Sequence, residues 1–250
     1  MKDFMMKNFL LTLLVLPLLT AAADIYMIGD STMAYYQDKL HPLAGWGMAM
    51  QKYCRRGVTV HNLARSGRST ISYYIRTNLW QREIMPNLKP GDFVIIQFGH
   101  NDARQHKGIG YAPHDTLYQE YLKKYVDETR SKGAIPVICS QTIRCDFDKK
   151  SGKPFNRKPN DLYVAAAKKA AADNKCDFID LNAFALEHFE QIGKTEAEKL
   201  YMCFPRGVYA NYPDGKGDRC HLSFRGADFY AQAFVTLAKK QNLAIAKLFK

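Results

Sequence analysis

The sequence predicts an α/β fold in which a doubly wound parallel sheet of five strands lies between two layers of helices. Five short apolar runs are typical of buried strands, and segments with helical spacing separate them. This alternation favours parallel strands joined by right-handed crossovers. The predicted strands span residues 25–28, 58–63, 92–98, 134–140 and 177–181.

The helices are predicted from apolar residues that recur at helical spacing and from residues that cap or end a helix. Ser69 or Thr70 caps the helix after the second strand, and Gly133 ends the helix before the fourth strand. The other predicted helices span residues 45–56, 80–88, 114–132, 160–174, 183–191, 195–201 and 223–241. The predicted loops span residues 103–112, 144–158 and 203–219.

The amino terminus has the pattern of a secretory signal. Lys2 and Lys7 precede an apolar run over residues 9–19, and small residues suit cleavage after Ala23. We therefore expect a signal peptide at 1–23, a single domain at 24–250, and export to the periplasm or the cell exterior. No later stretch is apolar over the length that a spanning helix needs, so we expect no stable membrane insertion.

The chain is basic, with 36 Lys and Arg against 24 Asp and Glu and a formal net charge of +12. This balance favours an anionic partner, which leaves nucleic acid, an anionic membrane or an acidic polysaccharide. No helix-turn-helix, RRM aromatic pattern or zinc finger is evident, so we expect no nucleic-acid partner. We expect the protein to be a monomer.

Six cysteines are present without a CxxC pair, which disfavours a zinc ribbon or a thioredoxin-type site. An exported protein can oxidise its cysteines, and a bridge between Cys203 and Cys220 is one possibility. The connectivity stays open, because six cysteines can pair in many ways.

A serine hydroxyl follows the first predicted strand, at the edge where open α/β sheets bind ligands. It lies in the turn G-D-S-T at 29–32, and Ser31 is our candidate nucleophile. The alternative is that Ser31 only caps a helix. His221 is the candidate base, because Asp218 stands three residues earlier and can turn back onto its Nδ1. The alternative for that pair is a loop ion pair.

Attack on an ester carbonyl creates an oxyanion, which needs N–H donors held at about 3 Å. The candidate donors are the backbone N–H groups of Ser31 and Gly67 and the side-chain amide of Asn101. Gly67 and Asn101 each have a simpler explanation as turn formers. All of these residues follow predicted strands or lie just before the last helix, so the topology brings them to one edge of the sheet.

Four motifs in this order resemble the four blocks of the SGNH (GDSL-type) hydrolases. They are G-D-S-T at 29–32, the turn at Gly67, G-H-N-D at 99–102 and D-x-x-H at 218–221. The resemblance implies a flavodoxin-like fold, with Ser31, Asp218 and His221 as catalytic triad. It implies an oxyanion hole built from Ser31, Gly67 and Asn101. The elbow G-x-S-x-G of ordinary α/β-hydrolases is absent, which also favours this family.

Within that family the finer pattern is similar to rhamnogalacturonan acetylesterases. The supporting stretches are GDSTMAYY at 29–36, GWG at 45–47, NLARSGRS at 62–69, KPGDFVIIQFGHND at 89–102 and HLSFRGA at 221–227. One departure from the family pattern is Arg219-Cys220 inside the last block, where smaller or more polar residues are expected. The resemblance implies removal of acetyl groups from pectin through an acetyl-serine intermediate, with no metal and no organic cofactor.

The implied partner is an acetylated acidic polysaccharide or its oligosaccharides. Arg68 and His100 are candidates for contact with the substrate, Arg68 because a guanidinium clamps a carboxylate in two places. Two alternatives stay open. One is an SGNH esterase that acts on acetylated xylan or on other carbohydrate or lipid esters. The other is a non-catalytic carbohydrate-binding protein on the same fold.

Overall fold

The computed structural model describes residues 23–250. The predicted signal peptide, apart from Ala23, lies outside the described residues. A parallel sheet of five strands forms the centre, in the order β2-β1-β3-β4-β5. The strands are β1 (Ile25–Gly29), β2 (Val60–Asn62), β3 (Phe93–Gln97), β4 (Ile135–Cys139) and β5 (Asp177–Ile179). The predicted five-stranded parallel sheet is therefore confirmed.

Helices cover both faces of the sheet. They are α1 (Thr70–Arg76), α2 (Leu117–Ser131), α3 (Asn160–Asp173), α4 (Leu181–Glu198) and α5 (Phe224–Lys240). Alternate residues of β1 point to opposite faces, so Met27 lies in the core beside α5, whereas Ile28 lies in the core beside α2 and α3. Trp46 is fully buried and stacks on Phe234 of α5 with ring centres 5.7 Å apart. These two cores confirm the three-layer, doubly wound architecture.

The predicted helix over 45–56 is wrong, because two short 3₁₀ segments, Trp46–Met48 and Met50–Tyr53, replace it. The first of them lies against the turn after β1, and its N–H groups bond to that turn. Trp46 N–H donates to Thr32 O at 2.9 Å, and the next N–H along the chain donates to Met33 O. Helical spacing cannot reveal this arrangement, because the bonding partners lie outside the segment.

The predicted loop over 203–219 is wrong at both ends, which belong to the two strands of an antiparallel hairpin. The strands are β6 (Tyr201–Phe204) and β7 (Lys216–Leu222), joined by residues 205–215. The predicted helices at 183–191 and 195–201 correspond to the two parts of α4, which a kink with non-helical backbone at Gly193 (φ 73°) separates. All six cysteines are free, and Cys203 faces Gly217 across the hairpin rather than Cys220.

Smaller corrections concern two segments near the sheet edge. The predicted loop over 103–112 contains 3₁₀ turns at Gln105–Gly110, and α2 begins at Leu117 rather than at 114. A π-type turn at Trp80–Ile84 occupies the start of the predicted helix at 80–88. In residues 23–250, every helix is too short or too polar to cross a membrane.

Candidate active site

The turn after β1 presents Ser31 at the carboxyl edge of the sheet. Asp30 is fully buried, and its Oδ1 accepts hydrogen bonds from Thr32 N (2.9 Å) and Thr32 Oγ1 (2.8 Å). Tyr36 O–H donates to Ser31 O at 2.8 Å. The backbone on both sides of the serine is therefore fixed, and 7% of the Ser31 surface stays exposed.

His221 and Asp218 complete a chain of hydrogen-bond contacts with this serine. His221 Nε2 lies 3.1 Å from Ser31 Oγ, and His221 Nδ1 lies 2.7 Å from Asp218 Oδ2. The other carboxylate oxygen, Asp218 Oδ1, accepts from the N–H groups of Cys220 (2.8 Å) and His221 (3.1 Å). The sequence prediction named these three side chains, and the structure brings them together.

Electrostatics keep the Asp218 carboxyl ionised. Burial alone raises the pKa of Asp218, but the His221 ring and the two backbone N–H groups outweigh burial and hold that pKa well below its usual value. An ionised carboxylate beside Nδ1 favours the tautomer that carries its proton there. His221 Nε2 then faces Ser31 Oγ as an acceptor.

His221, the candidate base, stands on strand β7, and several hydrogen bonds hold this strand to the rest of the fold. Ala44 N–H donates to Leu222 O at 3.0 Å, and Ser223 N–H donates to Leu200 O at 3.0 Å. Ser223 also caps α5, because its hydroxyl accepts from Gly226 N–H. The ring of His221 is thereby held between the hairpin and the start of a long helix.

The three candidate oxyanion donors follow neighbouring strands. Ser31 comes after β1, Gly67 after β2 and Asn101 after β3, and β1 lies between the other two. Gly67 has φ 75°, a left-handed conformation that suits glycine. Asn101 is buried, and its amide donates to Arg68 O at 3.0 Å, which ties the turn after β3 to the turn after β2.

Asp102 strengthens this connection, and the sequence prediction missed it. Its Oδ1 accepts from Thr70 N (2.9 Å) and Thr70 Oγ1 (2.6 Å), and its Oδ2 accepts from Gly99 N (3.1 Å). Burial raises the pKa of Asp102 to about 7, although the bonds from Thr70 oppose that shift. Thr70 opens α1, so Asp102 is a positioning residue that fixes the segment carrying Asn101 against that helix.

The two candidate substrate contacts differ in position. His100 is buried, with Nε2 3.2 Å from Thr142 Oγ1, and burial lowers its pKa. The sequence predicts that His100 contacts the substrate. Its burial and its contact with Thr142 instead favour a structural role beneath the site. Arg68 lines an open cleft with Arg65 and Ser66, so contact between its side chain and a substrate stays a prediction.

The described residues hold no cluster of three or more His, Cys, Asp or Glu side chains arranged to bind a metal ion. A family model described as GDSL-like Lipase/Acylhydrolase matches residues 27–229. The chain belongs to this family.

Several relatives of this GDSL-like acylhydrolase have names or structures. It is 34% identical over 204 residues to the rhamnogalacturonan acetylesterase RhgT of Bacillus subtilis, covering 82% of this chain and 84% of the relative. It is 30% identical to the probable rhamnogalacturonan acetylesterase YesY of the same organism, covering 90% and 97%. The crystal structure of B. subtilis YxiM matches with a TM-score of 0.74 and 26% identity. That match covers 89% of this chain and 57% of the YxiM chain.

The arrangement in this GDSL-like acylhydrolase suits hydrolysis of a carboxylic ester. A hydroxyl, an imidazole and an ionised carboxylate stand in sequence within hydrogen-bond reach. Such a chain activates a hydroxyl that is otherwise a weak nucleophile. The turns that carry the other two candidate oxyanion donors follow β2 and β3, the strands on either side of β1. The family and its relatives support the same general chemistry.

Proposed function

We propose that this chain is an exported serine esterase that removes acetyl groups from rhamnogalacturonan through an acetyl-serine intermediate. The observation that carries the proposal is the contact of His221 Nε2 with Ser31 Oγ at 3.1 Å, backed by Asp218 at 2.7 Å from Nδ1. The names of the relatives RhgT and YesY support the choice of substrate. The N-terminal sequence pattern supports export.

In the first step Ser31 Oγ attacks the acetyl carbonyl carbon while His221 Nε2 takes the hydroxyl proton. The carbonyl oxygen becomes an oxyanion, for which Ser31 N–H, Gly67 N–H and the Asn101 amide are the proposed donors. His221 then returns the proton to the sugar oxygen as the bond between that oxygen and the carbonyl carbon breaks. The deacetylated sugar leaves, and the acetyl group stays on Ser31.

In the second step water attacks the acetyl-serine carbonyl, and His221 takes one water proton. Collapse of the second oxyanion breaks the bond to Ser31 Oγ, which recovers its proton from His221. Acetate departs. Throughout, Asp218 stays ionised and stabilises the imidazolium that forms twice in each cycle. Its lowered pKa is consistent with that role.

The test compares the mature protein with Ser31→Ala and with Ser151→Ala, an exposed serine on the loop after β4. Acetate release is measured on acetylated rhamnogalacturonan oligosaccharides, acetylated xylan and a long-chain ester. We expect release on the first substrate, a loss on the order of 10³–10⁶ in Ser31→Ala, and no change in Ser151→Ala. Preference for xylan or the long-chain ester would overturn the substrate. Absence of release on all three would overturn the enzyme and favour a carbohydrate-binding role.

A further inference from the structure

A basic cleft adjoins Asp218, the proposed carboxylate of the triad. It has a volume of about 620 Å³, and we name it the hairpin cleft. Its lining comes from the loop after β4 and from strand β7, with Arg144, Asp146, Arg157, Lys216, Asp218 and Arg219 as its charged residues. Because Asp218 belongs both to this lining and to the triad, a group bound in the cleft lies next to the reacting centre.

Positive charge exceeds negative charge in the hairpin cleft. Asp146 is 7% exposed and faces two guanidinium groups, that of Arg157 at 2.8 Å and that of Arg144 at 3.5 Å. One carboxylate cannot balance two guanidinium groups, and Lys216 adds a further cation to the lining. Arg219 does not contribute to the excess, because it pairs with Glu198 at 2.9 Å.

Arg144 connects the hairpin cleft to the floor of the active site. Burial lowers the pKa of His100, and the charge of Arg144 adds to that shift. Burial raises the pKa of Cys220, the residue before the catalytic imidazole, and the charge of Arg144 opposes that shift. The Nε of Arg144 is buried, and within residues 23–250 that atom makes no hydrogen bond. The 3.5 Å separation from Asp146 is an ion pair that leaves this donor unsatisfied.

A second basic surface lies at the opposite end of the same sheet edge. Arg65 and Arg68 line the cleft after β2, whereas Arg144 follows β4. In the sheet order, β1 with Ser31 and β3 with Asn101 lie between β2 and β4. An extended polyanion across the nucleophile would therefore meet cations on both sides.

From this arrangement we infer that the hairpin cleft binds the carboxylate of a uronic acid unit next to the acetylated sugar, with Arg144 and Lys216 as specificity-determining residues. The inference rests on the proposed esterase function and adds the group that selects acidic over neutral polysaccharide. Arg144 supplies a fixed, half-buried hydrogen-bond donor. Lys216 supplies an exposed positive charge on a flexible side chain that can adjust to the bound carboxylate.

The test measures kcat/KM for an acetylated rhamnogalacturonan oligosaccharide and for the same oligosaccharide after its carboxyl groups are reduced to alcohols. The ratio of the two values reports recognition of the carboxylate. We expect the wild type to prefer the acidic form and Lys216→Gln and Arg144→Gln to lower the ratio roughly ten- to 100-fold, mainly through KM. Lys216→Arg keeps the charge and should restore the ratio.

The matched control is Arg206→Gln, which removes one positive charge from the same hairpin outside the cleft. Arg206 is 82% exposed and pairs with Asp214. If the ratio falls equally in Arg206→Gln, the preference comes from overall charge and the inference is overturned. A wild-type ratio near one also overturns it, as does an unchanged ratio in Lys216→Gln, whose exposed side chain should leave folding intact.

Binding to Ser31→Ala separates failure of the inference from failure of the proposed function. Calorimetry with the deacetylated acidic oligosaccharide needs no turnover. If esterase activity is absent but Lys216→Gln weakens binding, the proposed reaction is refuted and the inference about the hairpin cleft stands. If esterase activity is normal but Lys216→Gln leaves binding unchanged, the proposed reaction stands and the inference about the hairpin cleft is refuted.

Discussion

Replacement of Asp218 by asparagine tests the proposed catalytic triad, because it exchanges one carboxylate oxygen for an NH₂ group. Asp218 Oδ1 accepts two backbone N–H bonds, from Cys220 and His221, so the asparagine oxygen must stay at that position. The asparagine NH₂ group then takes the place of Oδ2, 2.7 Å from His221 Nδ1. Because that group can only donate, Nδ1 must accept and the imidazole proton moves to Nε2.

A protonated Nε2 faces Ser31 Oγ at 3.1 Å and cannot take its proton. We therefore expect kcat to fall by about 10³–10⁴, the range found when a triad carboxylate is replaced by its amide. Each factor of ten corresponds to about 1.4 kcal/mol of transition-state stabilisation, so the loss is roughly 4–5.5 kcal/mol. KM should change little, because the ring and the serine keep their positions.

The assay follows release from a chromogenic acetyl ester at pH 7.5, with circular dichroism to verify the fold. The matched control is Asp214→Asn, which makes the same chemical change on the connection between β6 and β7, where Asp214 is 83% exposed. The reasoning is refuted if folded Asp218→Asn keeps kcat within tenfold of wild type, or if the control loses as much activity.

Three further changes have defined outcomes. Asn101→Ala should lower kcat by roughly 10²–10³ with little change in KM, measured as acetate release. Gly45→Ala should destabilise the fold by about 1–3 kcal/mol or more in urea unfolding, because its Cβ would meet Ala34 O at 2.2 Å. His100→Asn should flatten the pH dependence of the urea midpoint between pH 7.5 and 5. Burial lowers the native pKa of His100 below 6.5, so in the wild type the unfolded chain takes up that proton at a higher pH than the native chain does, and stability falls with falling pH.

Each of these outcomes can be contradicted. For the oxyanion donor, a large rise in KM at unchanged kcat would indicate ground-state binding instead. For the glycine, Gly217→Ala is the control, because nothing lies within 4 Å of its added Cβ; equal urea midpoints in the two variants would refute the steric argument. For His100, an identical pH slope in wild type and variant would show that other groups carry the acid sensitivity.

The buried strands were predictable because each is a short run of mostly apolar residues. Phe93–Gln97 is fully buried on both faces and is almost wholly apolar. Strand β7 gave no such signal, because its sequence K-G-D-R-C-H-L is mostly polar and only two of its seven residues are buried. Its pairing with β6 depends on tertiary contacts, which the local sequence pattern cannot predict. The same holds for 45–56, whose backbone bonds go to the turn after β1.

The candidate site divides in the same way. Ser31, Asp218 and His221 were predictable because few residue types perform this chemistry, and turn signals or close spacing marked each of them; their roles stay predictions. Asp102 was missed as a positioning residue, since its partner Thr70 lies 32 residues away. Arg144 was missed because the polar loop that contains it has no local signal, and its importance comes from facing β7.

The location of the imidazole on a separate two-stranded ribbon has a consequence for how this protein loses activity. The proposed nucleophile, Ser31, follows a strand of the central sheet, whereas its proposed proton acceptor, His221, belongs to the hairpin. Contacts such as Ala44 N–H to Leu222 O and Cys145 N–H to Arg219 O hold that hairpin to the rest of the fold. If the hairpin detached from the domain, Ser31 and His221 would separate while both hydrophobic cores stayed intact. We therefore expect activity to depend on a local opening free energy that is smaller than the free energy of global unfolding.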